Sequence, residues 1–296
     1  MPASTETGFP APDAAVKLLE RLAYQINHTV HSHHAEPIHD LRVAVRRFQQ
    51  ALGIFKNHFP AREVKKIKRR LKDLMDLSSD VRDCDIATKI LARSGLSGAA
   101  PLKTKIAARR KEGLAQLVTA LRRWGARNTS SKWRAVLANA SNGVDQDAAA
   151  RLPKSAKQFL TGGDDAAQKK VSAEGLHRYR IEAKKFRYAL ELFQPALGAA
   201  AKEWLNRLKK VQSLLGDIHD YHMVRLTCAE LDRDTELEAW LKKRQRRRTR
   251  EFRKLWQEAF SDSSARRQWV AALRRPERKP MARSIASSRG TAAISA

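Results

Sequence analysis

The 296-residue sequence predicts an all-α protein. Three observations predict it. Ala, Leu, Arg and Lys at helical spacing dominate the chain, and all are good helix formers. Alternating apolar runs that would mark strands are weak. And a helix-patterned stretch occurs twice, His39-Asp40-Leu41-Arg42-Val43-Ala44-Val45-Arg46-Arg47-Phe48 and His177-Arg178-Tyr179-Arg180-Ile181-Glu182-Ala183-Lys184-Lys185-Phe186, 138 positions apart. The match continues through Ala51-Leu52 with Ala189-Leu190 and Phe55 with Phe193. A repeat that keeps a histidine and cations as well as apolar residues calls for a chemical reason beside a packing one.

The elements follow in order. From Asp13, a cap candidate, to about His33, Val16, Leu19, Leu22, Ile26 and Val30 recur at helical spacing. His28, His31, His33 and His34 cluster at its end and read as a solvated helix end, since no carboxylate or cysteine completes a metal set. Pro37 suits the first turn of the next helix, whose apolar stripe is Leu41, Val45, Phe48, Leu52 and Phe55. His39, Arg42 and Arg46 form a row on another face, covering about 10 Å of helix, and His39 lies where free N–H groups favour anions. The second copy repeats the row as His177, Arg180, Lys184 and Arg187.

Pro60 ends the first hairpin, and a helix from about Arg62 buries Val64, Ile67, Leu71 and Leu74. It is expected to end in residues 77–86, with Asp83 and its counterpart Asp220 each capping a further helix or orienting a basic side chain, the cap being the favoured reading. Residues 93–101 read as a loop. A long helix to about Trp124, a break over 127–131 and a short helix from Trp133 to Ala140 come next. Residues 141–172 are poor in large apolar groups, with Phe159-Leu160 as the one anchor. The last helix, about Thr235 to Phe260, holds seven cations between Lys242 and Arg250. From about Arg275 periodicity is lost.

Composition narrows the partner. With 59 Lys+Arg against 31 Asp+Glu the net charge is +28, which points to a polyanion: nucleic acid, an anionic membrane or a phosphate polymer. The 42% hydrophobic content argues against wholesale disorder. Cys84 and Cys228 fit a reducing compartment without a disulfide framework. The first residues lack signal-peptide character, and no apolar run reaches the ~18 residues of a membrane span, so a cytoplasmic location is expected.

These motifs resemble the CHAD family, the conserved-histidine α-helical domain. The resemblance rests on His39-x-x-Arg42-Val43-x-x-Arg46-Arg47, on Leu71-Lys72 with Val81-Arg82-Asp83-x-Asp85-Ile86, and on their second copies. Those are His177-x-x-Arg180-Ile181-x-x-Lys184-Lys185-x-Arg187-Tyr188 and Leu208-Lys209-x-x-Gln212-x-x-Leu215-Gly216-x-x-x-Asp220. It spans roughly Asp13 to Phe260. It implies two helical bundles related by an approximate twofold, with a basic channel or groove between them. It also implies binding of inorganic polyphosphate without catalysis, and for some members association with polyphosphate granules. The family's basic positions fall on His39, Arg42, Arg46, Arg47 and Lys72, then on His177, Arg180, Lys184, Lys185, Arg187 and Lys209. Ser78-Ser79 stands where the second copy has Leu215-Gly216, His219 where the family often has Asn, and Gln49 in the place of Arg187.

The expected organisation is a flexible leader (1–12), an N-terminal helical half (13–142), a junction (143–172), a C-terminal helical half (173–274) and a disordered basic tail (275–296). The expected partner is inorganic polyphosphate, with weak non-specific nucleic-acid binding allowed; oligomeric state stays open. The alternative is a general nucleic-acid binder, against which stand the 6% aromatic content and the lack of a base-reading motif. A phosphohydrolase is the third reading. His39-Asp40 and His219-Asp220 invite it, yet Asp40 is not duplicated and no carboxylate cluster stands out. No catalytic residue, metal ligand or cofactor is expected.

Overall fold

The computed structural model describes residues 11–138, 151–231 and 234–273, and these contain helices and no strand. The leader apart from Ala11 and Pro12, the basic tail, and Asn139-Ala140 of the predicted short helix lie outside the described residues. Helix α1 (Ala11–His31) and α2 (Ala35–Ile54) form a hairpin across residues 32–34. They bury Leu19, Leu22 and Ile26 against Ile38, Leu41, Val45 and Phe48. Thr29 Oγ1 donates to Gln25 O at 2.8 Å and lies 3.3 Å from Pro37 O, which fastens the turn.

A 3-10 turn (Lys56–His58) leads into α3 (Ala61–Ser94), and here the sequence expectation needs correction. The helix does not end at 77–86. Its buried stripe continues through Val81, Cys84, Ala87 and Leu91. Ser78 Oγ donates back to Met75 O at 3.1 Å, so the polar stretch satisfies itself inside the helix. Asp83 is therefore a mid-helix residue and not a cap.

Only residues 95–98 separate α3 from α4 (Ala99–Ala126), so the predicted 93–101 loop is shorter than expected. Gly95 closes α3 in the left-handed region (φ 69°), a conformation open to glycine. Arg127 and Asn128 suffice for the break before α5 (Thr129–Ala138).

The expected junction holds a core helix, α6 (Leu152–Ala166). Phe159 sits 5.3 to 5.7 Å from the rings of Tyr179, Phe186, Trp256 and Phe260. Its inward stripe of Leu152, Ala156, Phe159, Leu160, Gly163 and Ala166 is made in good part of small residues, a weak apolar signal, which is why composition missed it. Gly163 allows the Trp256 ring to press on the α6 backbone; a Cβ there would meet the ring at 2.0 Å. Gly163→Ala is expected to destabilise the fold by about 1–3 kcal/mol through overpacking, read from urea denaturation; an unchanged midpoint would contradict the packing.

Helix α7 (Ala173–Leu231) is helical throughout yet cannot be straight. His177 and His219 would stand about 63 Å apart along a straight helix, but their Nδ1 atoms are 3.1 Å apart. Gln212 Nε2 donates to Ala183 O at 2.7 Å. Both contacts are centred on positions 197–198, so α7 folds back there, in a stretch carrying Pro195 and Gly198. Its two arms form a hairpin equivalent in sequence to α2 and α3. Asp220 lies within the second arm and, like Asp83, is no cap.

Helix α8 (Thr235–Phe260) matches its predicted bounds, with the Asp234 side chain accepting from Leu237 N at 3.0 Å as the cap. Helix α9 (Ser263–Ala272) had no separate sequence signal; it is held by Trp269 stacked on Trp204 at 3.8 Å. Arg266 adds a fork onto Asp164, both bonds at 2.7 Å.

The main core runs through both hairpins. A smaller one joins the end of α3, the start of α4, the end of α7 and the start of α8 through Leu91, Leu102, Ile106, Val224, Leu237 and Leu241. The repeat-equivalent Phe55 and Phe193 pack on each other edge to face at 6.3 Å. No described helix is long and apolar enough to cross a membrane.

Candidate functional site

The helical spacing that buries Leu41, Val45 and Phe48 turns His39, Arg42 and Arg46 toward one side of α2. On the first arm of α7 the same logic turns His177, Arg180 and Lys184. The fold brings these two rows together. The Arg180 charge lowers the pKa of Arg42, Arg46 lowers both Arg180 and Lys184, and Lys184 lowers His39. Helix α3 adds Arg82 and Asp83, and the second arm of α7 adds His219 and Asp220. Asp83 acts on Arg42 and Arg180 together, and Arg82 on Asp220, so all four hairpin helices meet at one cluster.

The cluster is desolvated and short of negative charge. Lys184 is held down to about 6 by desolvation first and then by the Arg180 and Arg46 charges, which Asp220 opposes only partly. Desolvation, helped by neighbouring cations, lowers Arg42 to about 10 and His219 to about 3. Asp220 is raised to about 6 because loss of hydration outweighs the pull of Arg180, Lys184 and Arg82. His177 and His39 are lowered for the same two reasons as Lys184. Facing Nδ1 atoms of His177 and His219 share one hydrogen, so one donates and the other accepts. Such crowding of unneutralised cations out of water is what a site for an anion requires.

The two halves are unequal. Arg42 is buried; its Nη1 donates to Met75 O at 2.8 Å and Ser78 Oγ at 2.9 Å, and its Nη2 to Ser79 Oγ at 3.3 Å. In the second copy Leu215 and Gly216 replace those serines and offer no acceptor side chain. Arg180 Nε is buried with no hydrogen-bond partner among the described residues. Beside Gly216 a Cβ would meet nothing within 4 Å, so the second half also has open space.

The other sequence-predicted positions are placed elsewhere. Arg47 and Arg187 both reach Glu191, each at 3.1 Å, and Arg187 lies over the Tyr188 ring at 4.8 Å. Lys72 is exposed and paired with Asp76 at 2.8 Å. Lys185 is exposed and lines a separate cavity with Gln50 and Glu182 against α6. Lys209 is exposed on the second arm of α7. Sequence reasoning missed Arg82 and His219 as members and favoured a cap over orientation of a basic side chain for Asp83 and Asp220. Their signal was present: Arg82 and His219 occupy equivalent positions of the repeat, as do Asp83 and Asp220. The expected helix ends at these positions hid it. Among the described residues no group of three or more His, Cys, Asp or Glu is arranged to hold a metal.

The sequence model of the CHAD domain matches residues 13–229. The fold is similar to the crystal structure of the CHAD domain from the plant Ricinus communis, with a TM-score of 0.61 at 19% identity, covering 94% of this chain and 97% of that one. It is also similar to PptA from Streptomyces chartreusis, with a TM-score of 0.59 at 17% identity, covering 86% of this chain and 100% of that one. No curated protein matches the sequence.

Proposed function

We propose, from the premise that this chain belongs to the CHAD domain family, a family associated with polyphosphate, that it binds inorganic polyphosphate and does not cleave it. The observation that carries this reading is the desolvated basic cluster drawn from both halves, in which burial, and then the Arg180 and Arg46 charges, press Lys184 down to about 6. A polyphosphate chain supplies charge at every unit and no bases. Arg180 bridges two phosphate oxygens with its fork, and Lys184 acts as a point charge. His177 and His39 strengthen the contact once a polyanion restores their protonation.

The pairs Arg42 with Arg180, Arg46 with Lys184 and Phe55 with Phe193 are each repeat-equivalent and mutually close. Self-pairing of equivalent positions supports an approximate twofold between the hairpins, with a basic groove on its axis. Retention of a polymer at this groove is the basis for association with polyphosphate granules.

Polyphosphate is expected to out-compete duplex DNA of equal charge for this protein. Its affinity should fall steeply with salt, by about 0.7 log units per tenfold salt for each phosphate contact if it behaves as a single strand does. Competition measured by fluorescence anisotropy tests this; equal retention of both polymers would favour the general nucleic-acid reading. Release of orthophosphate on adding Mg²⁺ or Mn²⁺ would show an enzyme instead.

A further inference from the structure

The cations of α8 are not one solvated belt. Arg244 lies over the Trp240 ring at 5.0 Å, Arg247 is paired with Glu251 at 2.8 Å, and Arg248 is shared between Asp217 at 3.0 Å and Glu251 at 2.6 Å. Of the others, all but Lys243 share one face. Lys242, Arg246, Arg250 and Arg253 follow steps of four, four and three. With Arg225 from the second arm of α7 they line a groove of about 480 Å³.

Negative charge in this groove is sparse. Glu238 accepts from Lys242 at 2.8 Å and Arg225 at 3.5 Å, and Arg253 donates to the Lys169 carbonyl at 2.9 Å. Arg246 and Arg250 have no carboxylate partner among the described residues, and the Nε atoms of Arg225 and Arg253 are buried without a hydrogen-bond partner. Gln245 lines both this groove and the small cavity holding His177, His219 and His222. Arg225 Nη2 lies 3.4 Å from His222 Nδ1. Along the second arm, His219, His222 and Arg225 form a row about 9 Å long that joins the central cluster to the groove. All of α8 lies beyond the residues that the CHAD model matches.

We propose that this groove is a second polyphosphate subsite, reached by a chain that leaves the central cluster past His219 and His222. It rests on the function proposed above. The groove's lining has no aromatic side chain on which a base would stack, which favours a base-free polymer over single-stranded nucleic acid. Occupants of the two subsites are then parts of one chain, so affinity rises with chain length through the effective concentration of the second contact.

The test compares tripolyphosphate with long-chain polyphosphate by calorimetry on the full chain, using Arg246→Glu/Arg250→Glu and the milder Arg246→Gln/Arg250→Gln. Both positions are exposed, and thermal melts check folding. Long-chain affinity is expected to fall at least about tenfold, with a salt slope lower by about 1.4 for two lost contacts. Tripolyphosphate affinity falls far less, because the central cluster accommodates a short chain. Arg180→Ala, by contrast, weakens both lengths. An unchanged long-chain affinity in folded groove variants overturns the subsite and leaves the central reading standing. Loss of duplex-DNA binding with long-chain polyphosphate binding retained assigns the groove to nucleic acid and likewise overturns it. A wild-type chain that binds neither length overturns both.

Discussion

Arg180→Ala is expected to weaken polyphosphate binding at least about tenfold while leaving the unfolding midpoint in urea close to that of the unaltered chain. Arg42→Ala, at the equivalent position of the other hairpin, is expected to lower stability by about 3 kcal/mol. The difference follows from what each guanidinium touches. Arg42 donates to Met75 O, Ser78 Oγ and Ser79 Oγ, and it is the hydrogen-bonded link between α2 and α3. Its removal cuts three donated bonds and takes the donor from the buried Ser78 hydroxyl. Arg180 has a buried Nε without a partner among the described residues and a like charge from Arg46 nearby, and Leu215 and Gly216 stand in the chain where the first copy has its two serines. Its removal relieves repulsion and takes away an anion contact. Calorimetric titration with polyphosphate, paired with urea denaturation of both variants, measures the contrast. Equal destabilisation by the two, or a folded Arg180→Ala protein that binds with unaltered affinity, would refute it.

Polyphosphate binding is expected to tighten as pH falls from about 9 toward 6, with net proton uptake. In the free protein Lys184 is held at about 6 and is mostly neutral at pH 7. A polyanion beside it favours the ammonium and raises its pKa, so binding draws in a proton. His177 and His39, lowered by desolvation and by neighbouring cations, respond in the same direction. So does Asp220, raised to about 6, since a polyanion disfavours its carboxylate further. Every contribution therefore has one sign. Uptake of one proton makes affinity fall up to about tenfold per pH unit. Titrations in buffers of different ionisation enthalpy count the protons directly; zero uptake, or affinity rising with pH, would sink the assignment.

The same group sets a stability signature. Lys184 has a folded pKa below its ordinary 10.5, so between about 6 and 10.5 the unfolded chain binds more protons and stability rises with pH. For Asp220, raised from 3.8 to about 6, stability falls as pH rises through that window. At pH 7 Lys184 holds the empty site at a cost that a polyanion relieves, whereas the Asp220 carboxylate becomes costlier beside one. Lys184→Met should therefore raise the melting temperature of the free protein and also shrink the proton uptake on binding. A site that is strained when empty is a common trade between stability and function.

Much of the site could be read from the sequence because its rows are helical. His39, Arg42 and Arg46, and His177, Arg180 and Lys184, recur at three- and four-residue steps, and duplication set them apart from an ordinary charged face. Lys72, Lys185 and Lys209 belong to the same motifs but are exposed, and Arg47 and Arg187 of the two hairpins meet at Glu191. Spacing within a motif does not say which side of a helix another helix will cover. Asp83 and Asp220 were misplaced because polar residues in a row look like a helix end. The structure keeps those residues inside helices by burying Val81, Cys84 and Ile218 around them.

Alone, the sequence determined what depends on neighbours a few residues apart: the all-α class, the bounds of α8, the repeat and its cationic rows. Tertiary structure decided what depends on partners far along the chain. The reversal of α7 at positions 197–198 brings His219 to 3.1 Å from His177. The first hairpin sets Arg42 against Ser78 and Ser79, while the second carries Leu215 and Gly216 at the equivalent positions. Two arginines that look alike in sequence thus differ in the structure, one a hydrogen-bonded strut and the other a guanidinium with an unpaired buried Nε. A guanidinium takes its role from the acceptors the opposite helix presents, and those are chosen by folding.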